Sequence, residues 1–308
     1  MKKVLFATTA LVATAGVAAA DVTFGGYGRF GILYTDTAAG DTTNITSRLR
    51  LIVNATAESD AGVVFGGTIH FESEERDAAV AVAPGFNGAR FFARSGGFEV
   101  GVGNIYGALE FMPGQYPIDL GLTGHSYDYV AYNFRGDAYQ NGQGLGSSGS
   151  NGIEVLYSAG DLAVHVSATN PTGPANDRIA GHIAYTWNGW TFALGAQDSD
   201  FVGDTDWTVT VGGSFGVADV NLAYAKNGDD NGVIGAGGTG DHWVLSGRFD
   251  VGAATNIEAY VADADYFAET SYGVDFNHDM GGGTSLRGGI SSTGSDATLV
   301  DFGVRFNF

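Results

Sequence analysis

Ala297-Thr298-Leu299-Val300-Asp301-Phe302-Gly303-Val304-Arg305-Phe306-Asn307-Phe308 ends the chain. Every second residue back from the terminus is apolar: Phe308, Phe306, Val304, Phe302 and Val300. Asn307, Arg305, Gly303 and Asp301, which alternate with them, are polar or small. Side chains of a strand point alternately to its two faces, so this pattern predicts a strand with one apolar and one wet face. Chain termini ordinarily fray and are polar. A strand this regular, running to a final aromatic, predicts that Phe308 itself is paired in a sheet.

The same unit recurs upstream: an alternating segment, a short Gly/Asp/Asn turn, a second alternating segment, a longer polar loop. Val22, Phe24, Phe30, Ile32 and Tyr34 share one face, with Thr23, Tyr27 and Arg29 on the other. Leu49, Leu51, Val53 and Ala55 oppose Arg48, Arg50, Asn54 and Thr56. After the turn Glu58-Ser59-Asp60-Ala61-Gly62, Val63, Phe65, Ile69 and Phe71 oppose Thr68, His70 and Glu72. The pattern returns on both sides of Asn188-Gly189 and continues to the last strand. Counting gives sixteen strands of about 10 residues, the length that crosses a bilayer at a tilt. An even number of antiparallel strands with alternating short and long connections predicts a closed transmembrane β-barrel. Closure supplies every backbone donor and acceptor with a neighbour. Tyr34, Tyr185, Trp187, Trp190, Trp207 and Trp243 lie near strand ends, where aromatic residues mark membrane interfaces.

The other end of the chain predicts the compartment. Met1-Lys2-Lys3 is basic, Val4 to Val17 is apolar, and Ala18-Ala19-Ala20 fits a cleavage pattern before Asp21. Residues 1–20 therefore read as a secretory signal peptide, and residues 21–308 as the barrel domain. The apolar run is shorter than the ~20 residues of a spanning helix. The chain has no cysteine, so it must hold without disulfides. Its formal charge of −20 argues against a nucleic-acid partner.

One connection breaks the rhythm. After the hairpin of Ala89–Arg94 and Phe98–Gly103, alternation stops near Asn104 and resumes only at Ile153. A connection this long is functional or disordered. Tyr106, Phe111, Met112, Tyr116, Tyr129, Tyr132 and Phe134 give it too much aromatic content for disorder. It is expected to fold back into the lumen; the alternative is an extra strand over Tyr127–Phe134. The basic residues concentrate before position 100, where Arg29, Arg48, Arg50, Arg90 and Arg94 all fall on the polar phase. In a lipid-facing position each would cost ~2–4 kcal/mol, so that phase should line the lumen. Glu110, Asp119 and Asp128 of the long connection offer counter-charges, and opposed charges across a narrow pore select solutes.

The chain resembles the alphaproteobacterial general porins. Thr46-Ser47-Arg48-Leu49-Arg50 with its Glu58–Gly62 turn, Phe91–Gly103 leading into the long third loop, and the closing Val304–Phe308 carry the resemblance. It implies a sixteen-stranded homotrimer in the outer membrane, passing ions and small hydrophilic solutes by diffusion. It also implies a pore constriction in which Arg29, Arg48, Arg50, Arg90 and Arg94 face loop carboxylates, Glu110 and Asp119 first among them. The terminal strands would meet, with the Phe308 carboxylate near Asp21.

Competing chemistry finds little support. Gly26-Tyr27-Gly28-Arg29-Phe30-Gly31 matches a dinucleotide fingerprint in letters, but no helix pattern follows. Gly212-Gly213-Ser214-Phe215-Gly216 matches a nucleophile elbow but sits between two strands. The six histidines lack metal-ligand spacing. No catalytic residue and no required cofactor are expected, although acidic loops such as Asp198-Ser199-Asp200 and Gly228-Asp229-Asp230 offer carboxylates to Ca²⁺. Two other readings remain at this point: an outer-membrane barrel serving adhesion or anchoring, and a soluble secreted acidic β-protein binding Ca²⁺ or glycans.

Overall fold

A computed structural model describes residues 20–76, 82–132, 151–169, 178–199, 205–228 and 238–308. The leader expected over the first twenty residues lies outside them except for Ala20, as do Phe134, Asp200, Asp229 and Asp230.

The alternating segments form β1 (Asp21–Thr37), β2 (Gly40–Glu58), β3 (Val64–Arg76), β4 (Val82–Phe86), β5 (Arg90–Ser95) and β6 (Phe98–Asn104) before the long connection. After it come β7 (Asn151–Ala159), β8 (Leu162–Thr169), β9 (Arg178–Trp187), β10 (Trp190–Ser199), β11 (Asp206–Phe215) and β12 (Ala218–Asn227). The last five are β13 (Gly240–Asp250), β14 (Thr255–Ala264), β15 (Ser271–Gly281), β16 (Thr284–Ser292) and β17 (Thr298–Asn307). All pairings are antiparallel, and β1 pairs with both β2 and β17, which closes the ring. β4 and β5 are successive parts of one crossing, because both pair with β3. Asn87 spans the break: its side-chain carbonyl accepts from the His70 amide at 2.7 Å, and its own amide donates to the His70 carbonyl at 3.0 Å. The barrel therefore has sixteen crossings, the number the periodicity predicts, and residues 127–132 add no strand.

Closure differs from expectation in one detail. Phe308 pairs with Gly26, through backbone hydrogen bonds of 2.9 and 3.1 Å, rather than lying beside Asp21. The cause is register: β1 begins opposite Thr56 of β2 and reaches β17 only at Tyr27.

Burial in this barrel is the reverse of a soluble protein's. Phe24, Phe30, Ile32, Phe65, Phe91, Ile183, Leu194, Leu222, Leu245 and Phe302 are exposed on the outside. Glu72, Glu74, Arg90, Glu154, Thr208, Asp275 and Asp301 are buried inside. An apolar exterior this continuous is untenable in water, and an alternating wall supplies it to lipid on every second residue. The aromatic residues near strand ends fall into two bands. Trp187 and Trp190 flank the Asn188-Gly189 turn at the end carrying the short turns. Trp243 and the tilted ring pair Trp207–Tyr224, with centroids 5.3 Å apart, lie at the opposite end.

The long connection folds into the barrel. Ala108, Leu109, Met112, Ile118, Leu120, Tyr129, Val130, Ala131 and Tyr132 pack in one apolar cluster with wall residues Ala180, Ala184, Ala193, Ala223, Ala225, Val244, Tyr260 and Ala262. Small side chains on the inner face of β9 to β14 leave the room the loop occupies.

Candidate functional site

The lumen is narrowed by the loop on one side and by charged wall positions on the other. Sheet register builds the charged side in two rows. In the first, Arg305 of β17, Arg29 of β1, Arg48 of β2 and Glu74 of β3 stand in successive pairings. In the second, Asn307, Tyr27, Arg50 and Glu72 do the same. Three guanidinium groups abreast repel one another, and like charges directly opposite destabilise a sheet. Carboxylates answer them. Glu74 accepts from Arg48 at 2.5 Å and from Arg29 at 3.2 Å, while Glu72 is paired with Arg50 and lies 3.6 Å from Arg48. The Tyr27 ring lies under two of these cations, with the Arg305 guanidinium 4.4 Å and the Arg50 guanidinium 5.3 Å from its centroid. Its hydroxyl accepts from Arg48 at 3.2 Å.

The loop presents Asp119 to this patch. One Asp119 oxygen accepts from Arg287 at 2.7 Å and from Arg305 at 2.8 Å. About half of its side chain, 49%, remains open to the lumen. Enclosure by the barrel opposes ionisation of Asp119, but Arg287 and then Arg305 outweigh it and hold the carboxyl below its ordinary range. Arg287 and Arg305 are absent from the sequence-based set. The signal for Arg305 was available: closure makes β17 a neighbour of β1, which puts Arg305 opposite Arg29.

The other expected residues sit elsewhere. Arg90 is buried and donates to Glu154 and Glu99, each at 2.6 Å, with its guanidinium 3.7 Å above the Tyr106 ring. It pairs with Thr68 in β3, four residues before Glu72, so roughly 13 Å of strand separates it from the Arg50 level. Arg94 lies further still toward the short turns, opposite Val64. Glu110 accepts from the Tyr116 hydroxyl at 3.0 Å on the loop. The predicted set thus divides into Arg29, Arg48, Arg50 and Asp119 at one level, Arg90 and Arg94 at another, and Glu110 on the loop's own surface.

Wall groups hold the loop by its backbone. Glu154 accepts from the amides of Tyr106 and Gly107, Glu258 from Asp119, and Asp275 from Gly121. Asp301 accepts from the amides of Leu122 and Thr123 and from the Thr123 hydroxyl, at 2.7 to 3.0 Å. Asp128 of the loop, the third counter-charge read from the sequence, accepts from Ser271 and Gly294 at 2.8 Å and so serves attachment. His182, Thr210, Asn221, Asn227 and Arg29 bond loop carbonyls. Irregular backbone needs such partners wherever it leaves bulk water. Where the loop runs closest to the wall, side chains vanish: a Cβ on paired Gly31 or Gly303 would lie 2.6 Å from Leu122.

The two letter matches to catalytic and dinucleotide motifs fall on strands and a hairpin. Gly26–Gly31 lies inside β1, and Ser214 bonds Asp219 at 2.5 Å across a hairpin. Among the described residues, no group of three or more His, Asp or Glu side chains is placed to hold a metal ion.

Known proteins share this architecture. A model of the Gram-negative porin family matches residues 7–298. The porin of Fuscovulum blasticum is 31% identical over 306 residues, covering 94% of this chain and all of that one. The Rhodobacter capsulatus porin is 26% identical over 321 residues, again with 94% of this chain and all of that one covered. A triple mutant of Rhodopseudomonas blastica porin superposes with a TM-score of 0.80 at 27% identity, covering 94% of this chain and the whole of its own. A closed sixteen-crossing barrel, apolar outside and charged within, is thus matched along nearly its full length: the chain belongs to the Gram-negative porin family and is an outer-membrane porin channel.

Proposed function

We propose that this porin passes ions and small hydrophilic solutes by passive diffusion, with its selective step at the level of Arg29, Arg48, Arg50 and Asp119. The observation that carries the reading is the joint placement of a loop docked inside the barrel and of the row Arg305, Arg29 and Arg48 beside its edge. Arg287 and Arg305 belong to the same level, because Asp119 bridges them. Arg90, Arg94 and Glu110 border the passage away from it. No chemical step is required of any residue, so the protein acts without catalysis and without a bound cofactor. The short-turn end faces the periplasm and the long loops face outward, in keeping with barrels of this type. The working unit is a homotrimer seated in outer-membrane lipid, reached through cleavage of the signal peptide before Asp21. Ca²⁺ at the acidic loops would tie neighbouring carboxylates together without entering the passage.

Single-channel recording of refolded protein (residues 21–308) in a planar bilayer tests this reading. Stepwise openings in groups of three, with a reversal potential under a salt gradient, are the expected result. Insertion without current would mean a plugged lumen and would favour an anchoring role.

A further inference from the structure

Below the docked loop, toward the short turns, apolar side chains interrupt the polar pattern of the lumen wall. Val64, Leu156 and Ala163 line a cavity of about 690 Å³ there, with Tyr106, Phe111 and Pro113 of the loop. Tyr106 and Phe111 form a shelf, their centroids 4.6 Å apart and their planes inclined at 40°. Phe111 is 48% exposed. A half-exposed phenyl ring inside a water-filled passage forfeits hydrophobic free energy and contributes nothing to the movement of hydrophilic solutes.

Besides the phenols of Tyr106 and Tyr157, the charged and titratable groups on this lining are four: Arg94, Glu99, His165 and His182. Three are engaged. Glu99 accepts from Arg90 at 2.6 Å, His165 bonds Glu154 at 2.9 Å, and His182 bonds the Ala108 carbonyl at 2.5 Å. Arg94 is different. Its guanidinium lies 5.1 Å from the Phe92 ring and forms no ion pair among the described residues. Glu99 is its cross-strand neighbour but turns its carboxylate to Arg90 instead. The cavity therefore combines one uncommitted cation with an aromatic shelf and apolar walls. Its volume falls within the ~300–1,000 Å³ typical of small-molecule sites.

We infer that this cavity is a subsite for small aromatic monocarboxylates, which lay the ring on Tyr106 and Phe111 and the carboxylate on Arg94. The inference rests on the channel reading and names a class of solute that lingers on the way through. A single guanidinium matches a single carboxylate in fork geometry. The apolar walls penalise a second charge, and the shelf favours an aromatic ring over an aliphatic chain.

The test uses refolded protein in planar bilayers carrying KCl current, with millimolar benzoate, acetate or benzyl alcohol added to either side. Benzoate is expected to interrupt the current, while acetate and benzyl alcohol, each lacking one half of the match, leave it steady. Arg94→Gln should weaken the benzoate effect about tenfold, the loss expected for one charge-assisted hydrogen-bonded contact. Arg94→Lys should retain part of it, and Phe111→Ala should abolish the preference for benzoate over acetate. Equal interruption by acetate, or an undiminished benzoate effect in Arg94→Gln, would overturn the subsite. Ligand-observed NMR on micellar protein decides binding independently of current: benzoate silent there and in the bilayer also overturns it. Absence of KCl current from wild-type protein would instead strike the channel reading. If a variant does not refold, the comparison of the three solutes on wild-type protein still decides.

Discussion

Arg305, Arg29 and Arg48 stand side by side on three neighbouring strands, an arrangement that costs the sheet about 0.2–1 kcal/mol for each opposed pair. Glu74 and Asp119 offset part of that cost, Glu74 from the wall and Asp119 from the loop. The pH dependence of the loop contact follows from Asp119. A carboxylate with a depressed folded pKa contributes stability above its unfolded pKa and loses it as pH falls through the folded value. Arg287 and Arg305 hold the Asp119 carboxyl below its ordinary range, so its bridge to them stays intact through neutral and mildly acidic solution. Single-channel conductance should accordingly stay flat between about pH 7 and pH 5 as far as this bridge controls it, since ordinary aspartate pKa values lie near 4. In Asp119→Asn the reversal potential should shift toward anions at pH 7, and an unshifted potential would remove Asp119 from the selective level. Arg29, Arg48 and Arg50 were legible in the sequence because strand phase alone turns them inward. Arg305 is inward by the same phase, but it joins them only once the contact between the two ends of the chain sets it opposite Arg29. Arg94 shares the phase of Arg48 but not its height, and phase carries no information about height.

The loop is the element whose course periodicity leaves open. Its aromatic content predicted a packed segment, and Tyr129, Leu109 and Met112 are indeed buried against the wall. Which wall it meets depends on features that read as noise in a strand pattern: alanines at inward positions and isolated inward acids such as Asp275 and Asp301. In the structure these acids are the attachment points. Asp301 is buried, and it also lies 3.2 Å from His125 of the loop. Removing it leaves the Leu122 and Thr123 amides without their acceptor, at a cost of about 1–3 kcal/mol for each buried donor. Asp301→Ala should loosen residues 122–123 from the wall while Asp275 still holds Gly121 and the barrel stays closed, because the β1–β17 pairing does not use its side chain. Amide exchange at 122–123 should quicken, and the open-channel current should become larger and noisier. Slow exchange with an unchanged current would show that the remaining wall contacts hold the loop without Asp301.

At the scale of the whole molecule, the barrel carries a large negative charge around a basic strait. The formal charge is −20, yet the level that faces the loop edge gathers Arg29, Arg48, Arg50, Arg287 and Arg305 against Glu72, Glu74 and Asp119. Five cations against three anions leave two positive charges there. Glu258 and Asp275 are buried behind the loop, with oxygens occupied by backbone amides. Distance decides which field an ion feels. Screening reaches about 10 Å at 0.1 M salt and about 3 Å at 1 M, so concentrated salt erases the field of remote charges before that of groups lining the strait. Replacing Arg48 and Arg50 together by Gln brings the level to three cations against three anions, without filling or emptying much volume. Reversal potentials under a KCl gradient should then move toward cations, and the shift should survive at 1 M salt, where an effect of remote charges would fade. A potential that does not move would mean that Glu72 and Glu74 lose their guanidinium partners without ions sensing it, and the selective step would have to lie at another height in the barrel.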